Sequence, residues 1–437
     1  MDATSWIKEF SPIPATIKIF AIFALVLILN RFRLHLGLSL LIGSVALALW
    51  TDLGLGGWLN SAISSVASFQ TIGLVSIVGL ILVMSRLMER SGHMTRLVES
   101  FSLLSRDARV VGAVMPALIG LLPMPGGALF SAPMVEASLN EHPISREQKT
   151  IINYWFRHVW EFWWPLYPGV VLAIALLDVN PWRYMGMMAP MTLFSILAGI
   201  MFILRPIGKI KLPGKGRPSW SEVGRFLWEM MPILVVILIM LLLLGLAKVL
   251  RLLGIHVEMT GVSSILPGLV AAVVWVCVVN HIPVSRLRTA VMDKGILPFL
   301  LLVFSIMVFK GVMTESHTIG HIRDELMANR IPVLLIIMIM PFVSGLITGI
   351  AIGFIGTSFP LVIPLFQVLP TYDSLALAAV AYTFGFMGMM LSPVHLCFLV
   401  SKDYYKAGLL KSYRYLALPT LTVLAATILL YLGVMSP

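Results

Sequence analysis

Charge is scarce in this chain. Of 437 residues only 12% are Asp, Glu, Lys or Arg, against 59% hydrophobic residues and a mean hydropathy of +0.96. Soluble domains carry about 25% charged residues, so a chain this poor in charge has lipid for much of its solvent. Acidic residues are scarcer than basic ones, 20 against 31, giving a formal charge of +11. In a soluble protein that excess points to nucleic acid; in a membrane chain it reports which side the loops face, and no nucleic-acid partner is expected. Cysteine is nearly absent. Cys277 and Cys397 both lie in apolar runs, which excludes a disulfide framework and a four-Cys zinc site and says nothing of compartment. No G-x-x-x-x-G-K-[ST] segment occurs, which argues against an ATP-driven pump. The first 13 residues are near-neutral, and the apolar run from Pro14 to Asn30 lacks a small-residue cleavage site behind it; it reads as a retained span.

What the chain has in abundance is apolar runs. A bilayer core of roughly 30 Å needs about 20 apolar residues per helix, and single spans are expected near 14–30, 36–51, 70–88, 184–204, 226–249, 260–280, 295–313 and 412–434. Four further runs, 109–139, 150–177, 331–367 and 373–400, are too long for one helix and are interrupted by Pro and Gly, as at Pro123, Gly126, Gly127, Pro165, Pro168 and Gly169. Breaks inside a membrane survive only where protein or a water-filled cavity covers the freed backbone groups. Reading 109–139 and 331–367 as re-entrant hairpins, and 150–177 and 373–400 as spans broken midway, gives ten crossings. With residues 205–225 in the cytoplasm, 21 Lys and Arg lie inside and five outside: Lys8, Arg183, Arg251, Arg323 and Arg330. That asymmetry is the positive-inside signature, and it places both termini outside.

The halves repeat. Met115, Pro116, Gly120 and Leu121 read M-P-x-x-x-G-L, and Met340, Pro341, Gly345 and Leu346 read the same 225 residues later. Gly126, Ser131 and Pro133 recur as Gly353, Ser358 and Pro360 at an offset of 227; Tyr154, Phe156 and Pro165 recur as Tyr382, Phe384 and Pro393. An ordered series at nearly constant offset predicts duplication. Five crossings per half invert the second copy, so the two hairpins approach the midplane from opposite sides. The expected fold is an all-α polytopic membrane protein of two inverted repeats, 1–205 and 226–437, each of five transmembrane helices plus one re-entrant hairpin, joined by a basic cytoplasmic linker at 206–225 that touches anionic lipid.

With these features the sequence resembles a known family. The two hairpins, the broken helices and the segments P-M-P-G-G-A-L-F-S-A-P (123–133) and N-Y-W-F-R-H-V-W-E-F-W-W-P (153–165) resemble an uncharacterised ten-span permease family, a domain of unknown function. It is grouped with the ion-transporter superfamily of sodium- or proton-coupled carboxylate carriers, gluconate permeases and some cation antiporters. The resemblance implies an elevator-type carrier in a prokaryotic plasma (inner) membrane, often a homodimer, holding substrate between hairpin tips and broken helices. Dicarboxylate members carry Ser-Asn-Thr triplets at the tips; here the equivalent places read Leu129-Phe130-Ser131 and Gly356-Thr357-Ser358.

Broken helices can hold an anion on free N–H groups and a cation on free carbonyls. Gly126, Gly127 and Gly353 would let a substrate approach the backbone, and Ser131, Thr357 and Ser358 would supply hydroxyls; the alternative is that these small residues simply let helices pack. Arg157 and Glu161 stand out most. They are spaced to share a helical face, and charge near mid-span is costly enough to be kept mainly in interiors or water-filled paths. Arg157 is expected to be a substrate-anion ligand or gate and Glu161 its partner or a proton carrier, with a purely structural pair as the alternative. His158 is expected either to shuttle protons or to be a hydrogen-bonded interior residue. Trp155, Trp160, Trp163 and Trp164 are expected to pack. His317 and His321 have helical metal-ligand spacing without the Glu of an H-E-x-x-H and read as solvated, so no metal site is expected. The function expected is ion-coupled transport of a small organic anion such as a carboxylate, driven by sodium ions or protons, with no other cofactor. A sodium/proton-type cation antiporter on the same fold is the alternative, and an enzyme is not expected, because Ser131 and His158 lack a third, orienting group.

Overall fold

Backbone polar groups in lipid must be satisfied within the chain, and a helix does this segment by segment. In the computed structural model every regular element among the described residues is helical. The structure describes residues 14–51, 53–102, 107–124, 127–139, 142–208, 210, 219–255, 261–316, 325 and 332–434. Gly126, His317, His321 and residues 209 and 211–218 of the basic linker lie outside them.

An outer group of helices takes six of the eight expected single spans and adds two helices beside them. These are α1 (Ala15–Arg31), α2 (Leu36–Trp50), α3 (Gly54–Ala67), α4 (Phe69–Arg90) and the short α5 (His93–Ser102). The group's second-half members, after the inner elements below, are α12 (Met231–Leu252), α13 (Gly261–Val279) and α15 (Leu297–Glu315). α2 and α3 pack on α15, and α13 packs on α12 and α4. α12 turns Leu238, Leu241 and Leu242 outward, as a lipid-facing helix must. α3 is not among the expected spans: its Gly, Asn and Ser content hides a helix whose Ser61 and Ser65 lie against Gly311 of α15.

The inner elements are the interrupted ones. The first run gives α6 (Ala108–Ile119) and α7 (Ala128–Leu139), which pack on each other. At 12 residues each these arms are about 18 Å long, well short of a roughly 30 Å bilayer core. The second gives α8 (Arg146–Arg157) and α9 (Pro168–Leu177), followed by α10 (Pro181–Gly199), which helical turns extend to Ile207. α11 (Trp220–Glu229) and α14 (Val284–Val291) are short helices between spans. The second half then repeats the pattern: α16 (Val333–Thr348) and α17 (Ala351–Val362), α18 (Ser374–Met390) and α19 (Leu396–Tyr405), and finally α20 (Leu409–Thr427). Among the described residues, six helical stretches are long and apolar enough to cross a membrane: Phe69–Arg90, Pro181–Ile207, Met231–Leu252, Leu297–Glu315, Ala351–Val368 and Leu409–Gly433. The last α17 turns thus carry the second hairpin's returning arm to span length, unlike either arm of the first.

The two halves share a close helix crossing. A Cβ on Gly120 would lie 2.0 Å from the Arg157 carbonyl oxygen, and one on Gly345 would lie 2.1 Å from the Gly385 carbonyl oxygen. Gly120 and Gly345 are the paired glycines of the M-P-x-x-x-G-L motif, and Arg157 and Gly385 are the paired positions of the broken helices. Each half therefore presses its hairpin onto its broken helix through the same glycine. Gly120→Ala and Gly345→Ala are each expected to destabilise by at least ~1–3 kcal/mol through overpacking, while Gly186→Ala, inside a helix where a Cβ meets nothing within 4 Å, does not lower stability. Thermal unfolding of the purified protein in detergent checks this; equal midpoints for all three variants would contradict it.

Candidate functional site

Helix α8 is started by a capping box, in which Ser145 and Gln148 bond reciprocally across the first turn, and it stops at Arg157. A proline further on keeps the helix from resuming at once. Pro165 has no N–H to give to the Glu161 carbonyl, and its ring crowds the carbonyl four residues back. The Tyr382 hydroxyl from α18 donates to that carbonyl instead, at 2.6 Å. In the other half α18 ends ahead of Pro393, the Val394 N–H turns to Ser392 Oγ, and the Met390 carbonyl accepts from the Tyr154 hydroxyl of α8 at 3.0 Å. Tyr154 and Tyr382 are repeat partners, so each broken helix supplies the hydroxyl that satisfies the other.

The residues between α8 and α9 also cap the first hairpin. The C-terminal carbonyls of a helix have no intrahelical donor. Here Ala117 accepts from Trp160 Nε1 at 3.0 Å, Leu121 from Trp164 Nε1 at 3.0 Å, Gly120 from the Tyr167 hydroxyl, and Met124 from Arg157 Nη2 at 2.9 Å. Trp160 and Trp164 are thus both packing groups and donors, while Trp163 Nε1 is buried without a partner. Trp155 does the same for Ser195 of α10.

Between the two breaks lies a cavity of about 200 Å³, lined by Arg157, His158, Glu161, Tyr167, Gly169, Gly349, Ala351, Met389, His395 and Cys397 among others. Gly349, with φ +65°, ends α16 in the left-handed conformation glycine tolerates and brings the second hairpin's turn to the cavity wall. Arg157 is 3% exposed; its Nη2 donates to the Met124 carbonyl, while Nε and Nη1 have no oxygen or nitrogen acceptor and only the Cys397 thiol beside the guanidinium. Gly127 lies against the guanidinium: a Cβ there would sit 2.5 Å from Nη2. Glu161 is buried, with Oε1 3.8 Å from His158 Nε2. His158 Nε2 lies 3.2 Å from His395 Nε2, and the Cys397 thiol is beside both Arg157 and His158.

The structure therefore gathers Arg157, His158 and Glu161 at one cavity with Gly127 behind the guanidinium. Because the helix ends at Arg157, Arg157 and Glu161 do not share a helical face, and they make no ion pair within 4.0 Å; Glu161 turns to His158 instead. Ser131, Thr357 and Ser358 are buried and bond to carbonyls of their own helices, Thr357 also to Ser344. These three and Gly353 are not among the residues lining the cavity. His395, Cys397, Tyr167 and Gly349 join the site without having been singled out. The match of Pro165 with Pro393 pointed to the second break, and residues just past Pro393 could have been read as cavity-facing.

Over residues 15–435 the chain matches the family described as protein of unknown function (DUF401). The chain belongs to that family. Comparison with curated proteins gives no match. Among solved structures, Neisseria gonorrhoeae MtrF, described as illuminating a class of antimetabolite efflux pumps, is similar at 13% identity with a TM-score of 0.51, covering 88% of this chain and 86% of its own. The Alcanivorax borkumensis YdaH transporter, described as having an unusual topology, is similar at 15% identity with a TM-score of 0.45, covering 89% and 91%. The likeness to MtrF is one of fold.

Removing the hydroxyl of Tyr382 leaves the buried Glu161 carbonyl without a donor, at a cost of ~1–3 kcal/mol. Tyr382→Phe is expected to lower the unfolding midpoint clearly, and Tyr415→Phe, whose hydroxyl meets the exposed Arg414, to change stability by no more than ~0.5 kcal/mol. Chemical unfolding in detergent checks both; an unshifted midpoint for Tyr382→Phe contradicts the account.

Proposed function

We propose that this protein is an ion-coupled secondary transporter of a small organic anion, a carboxylate in the simplest case, moved without covalent turnover. The observation that carries the reading is Arg157: a guanidinium at a cavity wall, 3% exposed, with Nε and Nη1 unpartnered. A buried cation is stable only when paired and hydrogen-bonded, and a carboxylate fits the planar donor fork of Arg in two-point fashion. The cavity volume suits a small molecule, and its remaining walls are mostly apolar.

Further support comes from fold and pattern. The fold is shared with MtrF, a protein described as an efflux pump, and six helices among the described residues have membrane-spanning character. The repeated motif, the matched Gly120 and Gly345 crossings and the reciprocal Tyr154 and Tyr382 bonds support two inverted repeats around a midplane site. In this reading the hairpins and broken helices move together against the outer helices in an elevator cycle, as a homodimer in a prokaryotic inner membrane with both termini outside.

The test is uptake by proteoliposomes of a panel of mono- and dicarboxylates under an imposed sodium or proton gradient. Gradient-driven uptake of at least one carboxylate is expected. Arg157→Gln should reduce it by at least about thirtyfold, since leaving a buried charge partner unpaired costs 2–5 kcal/mol or more. Absent flux for the whole panel, or flux indifferent to both gradients, would overturn the reading.

A further inference from the structure

The anion reading uses Arg157 and leaves His158, His395 and Cys397 unexplained. One ring nitrogen of each histidine and the Cys397 sulfur lie within 4.8 Å of one another. The three side chains come from both broken helices, with 237 residues separating the histidines. His158 Nδ1 is 2.6 Å from the Tyr154 carbonyl oxygen. A carbonyl can only accept, so Nδ1 carries the proton and Nε2 presents its lone pair toward His395. This is how metal-binding histidines are oriented: the distal N–H is tied to a carbonyl, which fixes tautomer and ring plane.

We propose that His158, His395 and Cys397 form a binding site for a divalent transition-metal ion of the zinc class. The spacing fits. Zinc bonds to imidazole nitrogen at about 2.0–2.1 Å in tetrahedral geometry place two nitrogens about 3.3 Å apart, and the two Nε2 atoms are 3.2 Å apart. Two nitrogens and one sulfur form the borderline-soft donor set that selects zinc over magnesium or calcium. The Glu161 carboxylate, 3.8 Å from His158 Nε2, is within reach of a fourth position, and the cavity gives the ion a way in. Three protein ligands beside an accessible fourth position describe an open site rather than a closed structural one. The assignment gives His158 the role of a ligand in place of a proton shuttle, and it holds whatever the cavity carries.

Full-length protein in detergent, in a Cys277→Ser background and stripped of metal by a chelator, is titrated with cobalt(II). The expected result is saturation at one ion per chain, with a sulfur-to-cobalt charge-transfer band and visible bands of tetrahedral intensity. Cys397→Ser should abolish the charge-transfer band and weaken binding by at least about 100-fold, the top of the range that loss of an outer partner costs. X-ray absorption of the zinc-loaded protein with its three ligands intact should show a first shell with one sulfur, which keeps the test decisive if Cys397→Ser fails to fold. No saturable binding, a band that survives Cys397→Ser, or a first shell without sulfur would overturn the proposal.

Discussion

The structure depends on one constraint: backbone groups freed by proline in an apolar chain must find partners inside the protein. Pro165 supplies no N–H to the Glu161 carbonyl, and the turn at Pro393 draws the Val394 N–H away from the Met390 carbonyl. A carbonyl orphaned in lipid costs several kcal/mol. Tyr382 and Tyr154 meet these two needs across the halves, which holds the two breaks face to face. The tryptophans and Tyr167 extend the same economy to the first hairpin, whose terminal carbonyls they cap.

From that pairing the site follows. Two helices that stop short leave space between their ends, and the side chains nearest the stops line it: Arg157 and His158 at the end of α8, His395 and Cys397 at the start of α19. Glycine makes the approach close, since Gly120 touches the backbone at Arg157 and Gly127 touches its guanidinium. The result is a cavity lined by charged side chains and built from both halves, in a chain where charge is scarce.

Much of this architecture was legible in the sequence because proline and glycine punctuate apolar runs for mechanical reasons. The breaks near Pro165 and Pro393 and the hairpin turns near Gly127 and Gly349 lie within the four runs marked as too long for one helix. Four things were hidden. Side-chain direction was one: Arg157 and Glu161 have helical spacing, yet the helix ends between them. Hydroxyl satisfaction was another: Ser131, Thr357 and Ser358 sit at repeated positions but spend their hydrogen bonds on their own helices. The third was juxtaposition across 237 residues, which no local spacing encodes, so His395 and Cys397 passed as parts of an apolar run. The Gly- and Ser-rich helix Gly54–Ala67 was missed because its composition reads as a loop.

The central claim is that the unpartnered Arg157 guanidinium makes this cavity an anion site. Isothermal titration of small mono- and dicarboxylates into the purified protein and into Arg157→Gln, with equal unfolding midpoints required of the two, tests it most directly. Saturable binding of at least one carboxylate by the wild type, lost in the variant, is the predicted result; binding of equal affinity in both proteins, or none in the wild type, would contradict it.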